Sequence, residues 1–240
     1  MPLPPTPVCL VTGGSSGIGL ETARKFHREG YRVALCGLRA ERVERAHREL
    51  SAGDPDNALD HCIAQSVDVA NSSALKAFLD LVLNRWERID VLVNNAGTAH
   101  LAAVDQLRPE EFRKTIEINI EAVFHAVSAV WPVMLKQQHG TIVNVSSMAA
   151  LDPFPGFSVY GATKAWVNTY THAIAAEGRP HGIHAFAVCP GFVQTELKQR
   201  LFPDSPPEIA LHPSQVADAI FQLSLPQMRI ASGESIRLLK

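Results

Sequence analysis

The feature that most constrains this chain is a rhythm of short apolar runs separated by longer helical stretches. Val8–Thr12, Tyr31–Cys36, Cys62–Val67, Ile89–Val93, Thr141–Ser146 and His184–Val188 read as strands, and Glu234–Leu239 is a candidate seventh. Between them, Ile18–Glu29 is amphipathic and stops at Gly30. Arg39–Leu50, Ser72–Arg88, Glu110–Gln137, Val159–Glu177 and Ser214–Leu225 follow as further helices, with Trp131-Pro132 as a place where the long one can kink. Strands that alternate with helices build a parallel sheet covered on both faces. The rhythm continues with no composition break, so the economical expectation is one α/β domain over 8–240, a doubly wound parallel sheet with helices on both faces. The proline-rich start MPLPPTP (1–7) is expected to be a loose arm and not a signal peptide. In such sheets ligands bind at the carboxyl ends of the strands, where the strand order reverses.

Composition excludes several function classes. The formal net charge of -2 offers no basic excess for nucleic acid. No apolar run is expected to reach the ~18 residues that span a membrane. The four cysteines, Cys9, Cys36, Cys62 and Cys189, are scattered without a CxxC pair, which fits buried reduced thiols in a cytoplasmic protein. Neither HExxH nor a Cys/His cluster occurs, so no metal site is expected, and the ten histidines read as surface or satisfied groups. His100, after NNAG, is a weaker candidate for the substrate pocket.

Chemistry concentrates where predicted strands end. The first strand opens into TGGSSGIG, in which Gly13, Gly17 and Gly19 allow a tight turn, close backbone approach to a ligand and helix–strand packing. Free N–H groups at the following helix start attract a pyrophosphate. The second strand ends in Cys36-Gly37-Leu38-Arg39, with Arg42 one turn later and no carboxylate to meet a ribose 2′-hydroxyl. That tilts the expectation toward NADP over NAD. The fifth strand ends at Ser147, and Tyr160 and Lys164 are one helical turn apart on one face. An ammonium beside a phenol lowers its pKa from about 10, which suits proton transfer to a carbonyl or from an alcohol.

TGGSSGIG, NNAG at 94–97, the Ser147–Tyr160–Lys164 set and PG at 190–191, in this order, resemble the short-chain dehydrogenase/reductase family in its shorter, single-domain, Rossmann-like branch. The resemblance implies a pyrophosphate loop at Gly13, Ser15, Ser16, Gly17, Ile18 and Gly19. It implies Asp68 and Val69 at the adenine, and Asn95, Ala96 and Gly97 flanking the cofactor ribose. Pro190, Gly191, Val193 and Thr195 would cradle the nicotinamide. Tyr160 would be the acid/base, with Ser147 orienting the substrate oxygen, Lys164 binding the nicotinamide ribose and Asn119 holding a water in the proton relay. It implies a homodimer or homotetramer through the helices at 110–137 and 159–177.

The function expected is hydride transfer between NADP(H) or NAD(H) and a small carbonyl or alcohol substrate. Two rivals are an epimerase or dehydratase with a bound nicotinamide, and a non-catalytic NADP-binding sensor or scaffold. Phe154 and Phe192 are expected to form an apolar substrate wall. The segment 196–212 reads as an abbreviated, proline-rich cover.

Overall fold

The computed structural model describes residues 6–52 and 61–240; most of the expected N-terminal arm, 1–5, lies outside them. One seven-stranded sheet runs in the order β3-β2-β1-β4-β5-β6-β7, and all its pairings are parallel. The strands are β1 (Val8–Thr12), β2 (Arg32–Gly37), β3 (Cys62–Ser66), β4 (Val91–Asn94), β5 (Gly140–Val145), β6 (Ile183–Pro190) and β7 (Ser235–Leu238). The helices are α1 (Gly17–Arg28), α2 (Ala40–Ser51), α3 (Ser72–Trp86), α4 (Pro109–Ile116), α5 (Ala122–Gln137), α6 (Ser158–Gly178), α7 (Glu196–Leu201) and α8 (Pro213–Ser224).

The central strand shows why these residues make a two-faced sheet. Every residue of β1 is buried. Alternate side chains point to opposite faces. Val8 and Leu10 join the core formed with α3, α5 and α6, through Phe78, Met134 and Ile174 among others. Cys9 and Val11 join the core on the other face, with Phe26 of α1, Val43 of α2 and Phe221 of α8. The chain leaves β1 toward β2 and β3, then returns to β4 on the other side of β1. The switch point is therefore between β1 and β4. There Thr12 is in register with both Cys36 and Asn94, and Asn94 with Asn144.

The expected elements are present, with ends shifted by a residue or two. Tyr31 precedes β2, and Arg88 lies beyond α3, which stops where Glu87 turns left-handed at φ 58. The stretch at 109–137 is continuous, but a five-residue π turn (Glu117–Glu121) joins α4 to α5, and Pro132 is accommodated inside α5. This helix corrects the expectation about apolar runs. Its best window has mean hydropathy 1.5, long and apolar enough to cross a membrane by composition alone. Here Ala122, Ala126, Val127, Val130 and Met134 turn that apolarity into the sheet core. The segment 196–212 is also more structured than expected. Thr195 caps α7 by accepting from the Lys198 N–H at 3.3 Å.

Candidate active site

Beyond β1 the chain turns through 13–16 into α1. Gly19 is required by close approach, because a Cβ there would lie 2.2 Å from the Gly13 carbonyl oxygen. Gly17 holds φ +54 and faces Thr195, whose Cγ2 would be 3.1 Å from a Cβ at that position. Ser15 is buried, and Ser16 is the N-cap residue of α1 but makes no side-chain cap bond. The first-turn N–H groups thus face the crevice with no cap oxygen from Ser16, a cradle that fits a pyrophosphate. Ile18 packs on the core behind it.

Asn95, which the resemblance places beside the cofactor ribose, joins the ends of two strands. Its Nδ2 donates to the carbonyls of Thr12 and Gly13 at 3.1 and 3.0 Å, while the N–H groups of Asn95 and Ala96 donate to Thr12 Oγ1. It locks the end of β4 to the glycine turn and positions Gly97. Asp68, just past β3, accepts from the Ala70 N–H at 3.0 Å and pairs with Lys114 at 3.4 Å, and Val69 is buried beside it. Pro190 ends β6, the Gly191 N–H donates to Leu238 O, and Val193 bridges to Leu211.

The proton-transfer residues converge between β4, β5 and α6. Ser147 caps a short 3-10 turn (Met148–Ala150) by accepting from the Ala149 N–H at 3.1 Å. Its hydroxyl acts on the Tyr160 phenol, favouring the charged form. Lys164 is buried and donates to Val145 O at 2.8 Å, with Nζ 5.9 Å from the Tyr160 ring centroid. A Cβ at Gly97 would stand 3.5 Å from both Lys164 Nζ and Asn119 Oδ1, so the three positions meet at one point. Asn119 sits fully buried in the π turn. It donates to Thr98 O at 2.9 Å and Thr163 Oγ1 at 3.1 Å, and accepts from the Thr98 N–H at 2.9 Å. These bonds explain the asparagine inside a helix: it clamps the loop after β4 to α6, and its carboxamide is already occupied by protein groups.

The electrostatics correct one expectation. Burial pushes the Tyr160 phenol above its ordinary value, and the Ser147 hydroxyl only partly opposes this. The Lys164 ammonium, turned to the Val145 carbonyl, is not what tunes the phenol in this state. Burial also brings Lys164 down from 10.5 to about 8.

The family model described as short chain dehydrogenase matches residues 7–206. The chain belongs to the short-chain dehydrogenase/reductase family. Among similar proteins, the Bacillus subtilis oxidoreductase YxjF is 37% identical, covering 95% of this chain and 87% of its own. The 3-oxoacyl-[acyl-carrier-protein] reductase FabG of Thermotoga maritima is 33% identical, covering 95% and 94%. The 3-ketoacyl-(acyl-carrier-protein) reductase of Brucella melitensis, solved with NADH, superposes with TM-score 0.88 at 29% identity, over 98% of this chain and 97% of its own. This short-chain dehydrogenase/reductase is accordingly an NAD(P)-dependent oxidoreductase with a Rossmann-like fold.

Two further features of this dehydrogenase/reductase escaped the sequence reading. The first is Gly161, the second residue of YGATK. A Cβ there would lie 2.7 Å from the Ala149 carbonyl oxygen, so only glycine lets α6 rest on the turn that carries Ser147. Replacing Gly161→Ala is expected to cost about 1–3 kcal/mol of stability and to displace Ser147, with a fall in turnover of about tenfold or more. Chemical denaturation and steady-state rates measured on one preparation check both. The second is Glu196, which reaches Arg42 at 2.8 Å and Arg39 at 3.9 Å. The end of β2 supplies no carboxylate, but α7 brings one to it.

The phenylalanines expected to form an apolar wall pack on one another. Phe154 and Phe192 both pack on Phe202, with ring centroids 6.0 and 5.1 Å apart. Phe157 links Phe202 to Tyr160 at 5.6 and 4.9 Å. The histidines lie elsewhere or are engaged: His100 Nδ1 bonds Thr115 Oγ1 at 3.2 Å, His125 packs on Phe124, and His172 stands beside Gly233. All four cysteines are free and buried, and burial pushes the Cys36 and Cys62 thiols up to about 12.

Proposed function

We propose that this chain reduces apolar ketones with NADPH, or oxidises the corresponding alcohols, using Ser147, Tyr160, Lys164 and Asn119. The observation that carries this reading is the convergence of Lys164, Asn119 and Gly97 at one point, with Lys164 Nζ 5.9 Å from the Tyr160 ring centroid. When bound, the nicotinamide supplies or accepts the hydride. Tyr160 donates its phenolic proton to the substrate oxygen in the reductive direction, and Ser147 holds that oxygen by a hydrogen bond. A raised phenol pKa keeps the proton in place until it is needed, which suits a general acid. With a dinucleotide bound, Lys164 would hold the nicotinamide ribose and steady the charge left on the phenol. Asn119 is a positioning residue whose bonds to Thr98 and Thr163 fix the loop and helix around Lys164.

The glycine turn, with Ser15, Ser16 and Ile18, takes the pyrophosphate, and Asp68 and Val69 border the adenine. Pro190, Gly191, Val193 and Thr195 line the nicotinamide side. Arg39, exposed at the end of β2 beside Arg42, supports NADPH over NADH. Residues 8–240 act as one dinucleotide-binding and catalytic unit. The aromatic wall of Phe154, Phe157, Phe192 and Phe202 favours a bulky apolar group next to the carbonyl. Four free buried thiols suit the reducing cytoplasm.

Parallel fluorescence titrations with NADPH and NADH test the cofactor choice. Tighter binding of NADPH is the expected result, and tighter binding of NADH would remove the role given to Arg39. A homodimer or homotetramer through α5 and α6 is supported by Phe124, which is 47% exposed on α5, and by the stacked Trp166 and Tyr170 rings on α6. Light scattering should show at least two copies, and a monomer at micromolar concentration would exclude that assembly.

A further inference from the structure

Two guanidinium groups, from α2 and its N-cap residue, face one carboxylate that comes from the far side of the cofactor crevice. Glu196 is the first residue of α7, more than 150 positions later in the chain than Arg42. Its Oε2 accepts from the Arg42 guanidinium at 2.8 Å and lies 3.9 Å from that of Arg39. Arg42, with Arg39 and Arg45 adding to it, holds the Glu196 carboxyl below the usual carboxylate range. The segment leading into α7 crosses directly over the glycine turn, where Thr195 faces Gly17. The pair therefore closes across the crevice at the end of β2, where the adenosine ribose of a dinucleotide belongs.

We propose that Glu196 acts as an internal carboxylate competitor at the arginine site that would receive a 2′-phosphate, and so sets how strongly this chain prefers NADPH to NADH. The inference rests on the reading of Arg39 and Arg42 as the ribose-end cation site. A phosphate monoester carries nearly two negative charges and three acceptor oxygens against one charge and two oxygens on a carboxylate, so it displaces Glu196 from Arg42. The exchange has room to occur, because the Glu196 and Arg39 side chains are 68% and 57% exposed. A ribose with a free 2′-hydroxyl brings no charge and leaves the Glu196–Arg42 pair intact. NADPH binding is thus reduced by the competition and NADH binding is not.

The same geometry makes Glu196 a clean position to change. The rest of α7 is held by other contacts. Leu197 and Leu201 pack in the cluster with Phe157 and Tyr160, and Arg200 donates to Ala99 O at 3.1 Å. Losing the Glu196 charge leaves these anchors in place.

The test compares the wild-type chain with Glu196→Gln by calorimetric titration, using 2′,5′-ADP and 5′-ADP as probes for the adenosine end. Removing one negative charge a few ångströms from the incoming phosphate should tighten 2′,5′-ADP about three- to tenfold, with 5′-ADP unchanged within about twofold. Equal tightening of both probes would mean that the variant merely opens the crevice, and would overturn the proposal. So would an unchanged affinity for 2′,5′-ADP. A wild-type chain that binds NADH and NADPH normally while E196Q changes nothing loses only the role of Glu196. A wild-type chain that binds neither dinucleotide loses the cofactor-site reading as well.

Discussion

Replacing Tyr160 with Phe is expected to lower kcat by about 10³-fold, the middle of the range for a single general acid, while leaving the fold and the affinity for the dinucleotide nearly unchanged. The substitution removes one oxygen. The ring that carries it packs on Phe157, with centroids 4.9 Å apart, and burial holds the phenol protonated. Loss of the oxygen should move stability by no more than about 1 kcal/mol, because a hydroxyl is removed without opening a cavity. The ring remains and still packs on Phe157, so the apolar wall is preserved. KM for a ketone should therefore change little, and the loss should fall on kcat. Steady-state rates with a dinucleotide binding titration on the same variant separate these terms. Retention of even a tenth of wild-type kcat would move the acid role elsewhere, and a parallel loss of dinucleotide affinity would make the phenol a binding group instead.

The second large effect belongs to Lys164. Its ammonium is buried with a single hydrogen bond among the described residues, to Val145 O at 2.8 Å, and its pKa falls to about 8. Burying a cation in this way opposes folding. Between about pH 8 and the ordinary lysine value near 10.5, the unfolded chain holds a proton that the folded chain has released. More protons bound in the unfolded state means that stability rises with pH across that window, by up to about 3 kcal/mol in total. Below about pH 8 both states hold the proton and the full cost is present. Lys164→Met keeps the length of the side chain and removes the charge. It should be at least as stable as wild type at neutral pH, and it should lack the rise in stability above about pH 8. Its kcat/KM should nevertheless fall about 10²-fold or more, since the cation that steadies the phenolate is gone. Urea unfolding of both chains at several pH values, with rates at neutral pH, reads the two effects. A variant that loses stability at neutral pH in proportion to its activity would make Lys164 a structural residue.

The parts of this account that could be read from sequence are those set by local repetition. Four apolar residues and a threonine in β1, next to a glycine turn, specify a buried parallel strand, and the two core faces follow from alternation of Val8 and Leu10 with Cys9 and Val11. The four-residue spacing of Tyr160 and Lys164 likewise puts them on one helical face. Which way each group then points is a tertiary matter. Lys164 turns to Val145 O, a carbonyl on another element, and the phenol ring is covered by Phe157, which Phe202 backs from a distant loop. The direction of the Tyr160 shift was therefore opposite to the one that spacing suggests. Glu196 is the clearest case of a group hidden from sequence. The prolines at 203, 206 and 207 disguise the six-residue helix before them, and its partner arginines are distant in the chain. Gly161 looked like ordinary variation in a motif, because a steric limit of 2.7 Å to Ala149 O exists only once the turn and α6 are packed. The buried series Asn94–Asn144–Thr171, bonded at 2.8 Å in each step, was equally invisible, since each member is satisfied only by another element.

The central claim is that Ser147, Tyr160 and Lys164 form a working carbonyl-reducing site rather than the remnant of one in a nucleotide sensor. The most direct measurement follows nicotinamide absorbance in the wild-type protein with NADPH and a panel of ketones that carry bulky apolar or aromatic groups, with the alcohols and NADP⁺ run in reverse. The account predicts loss of NADPH in stoichiometric amount with alcohol formed, for at least one member of the panel. Tight binding of NADPH with no change in absorbance for any ketone or alcohol would contradict it.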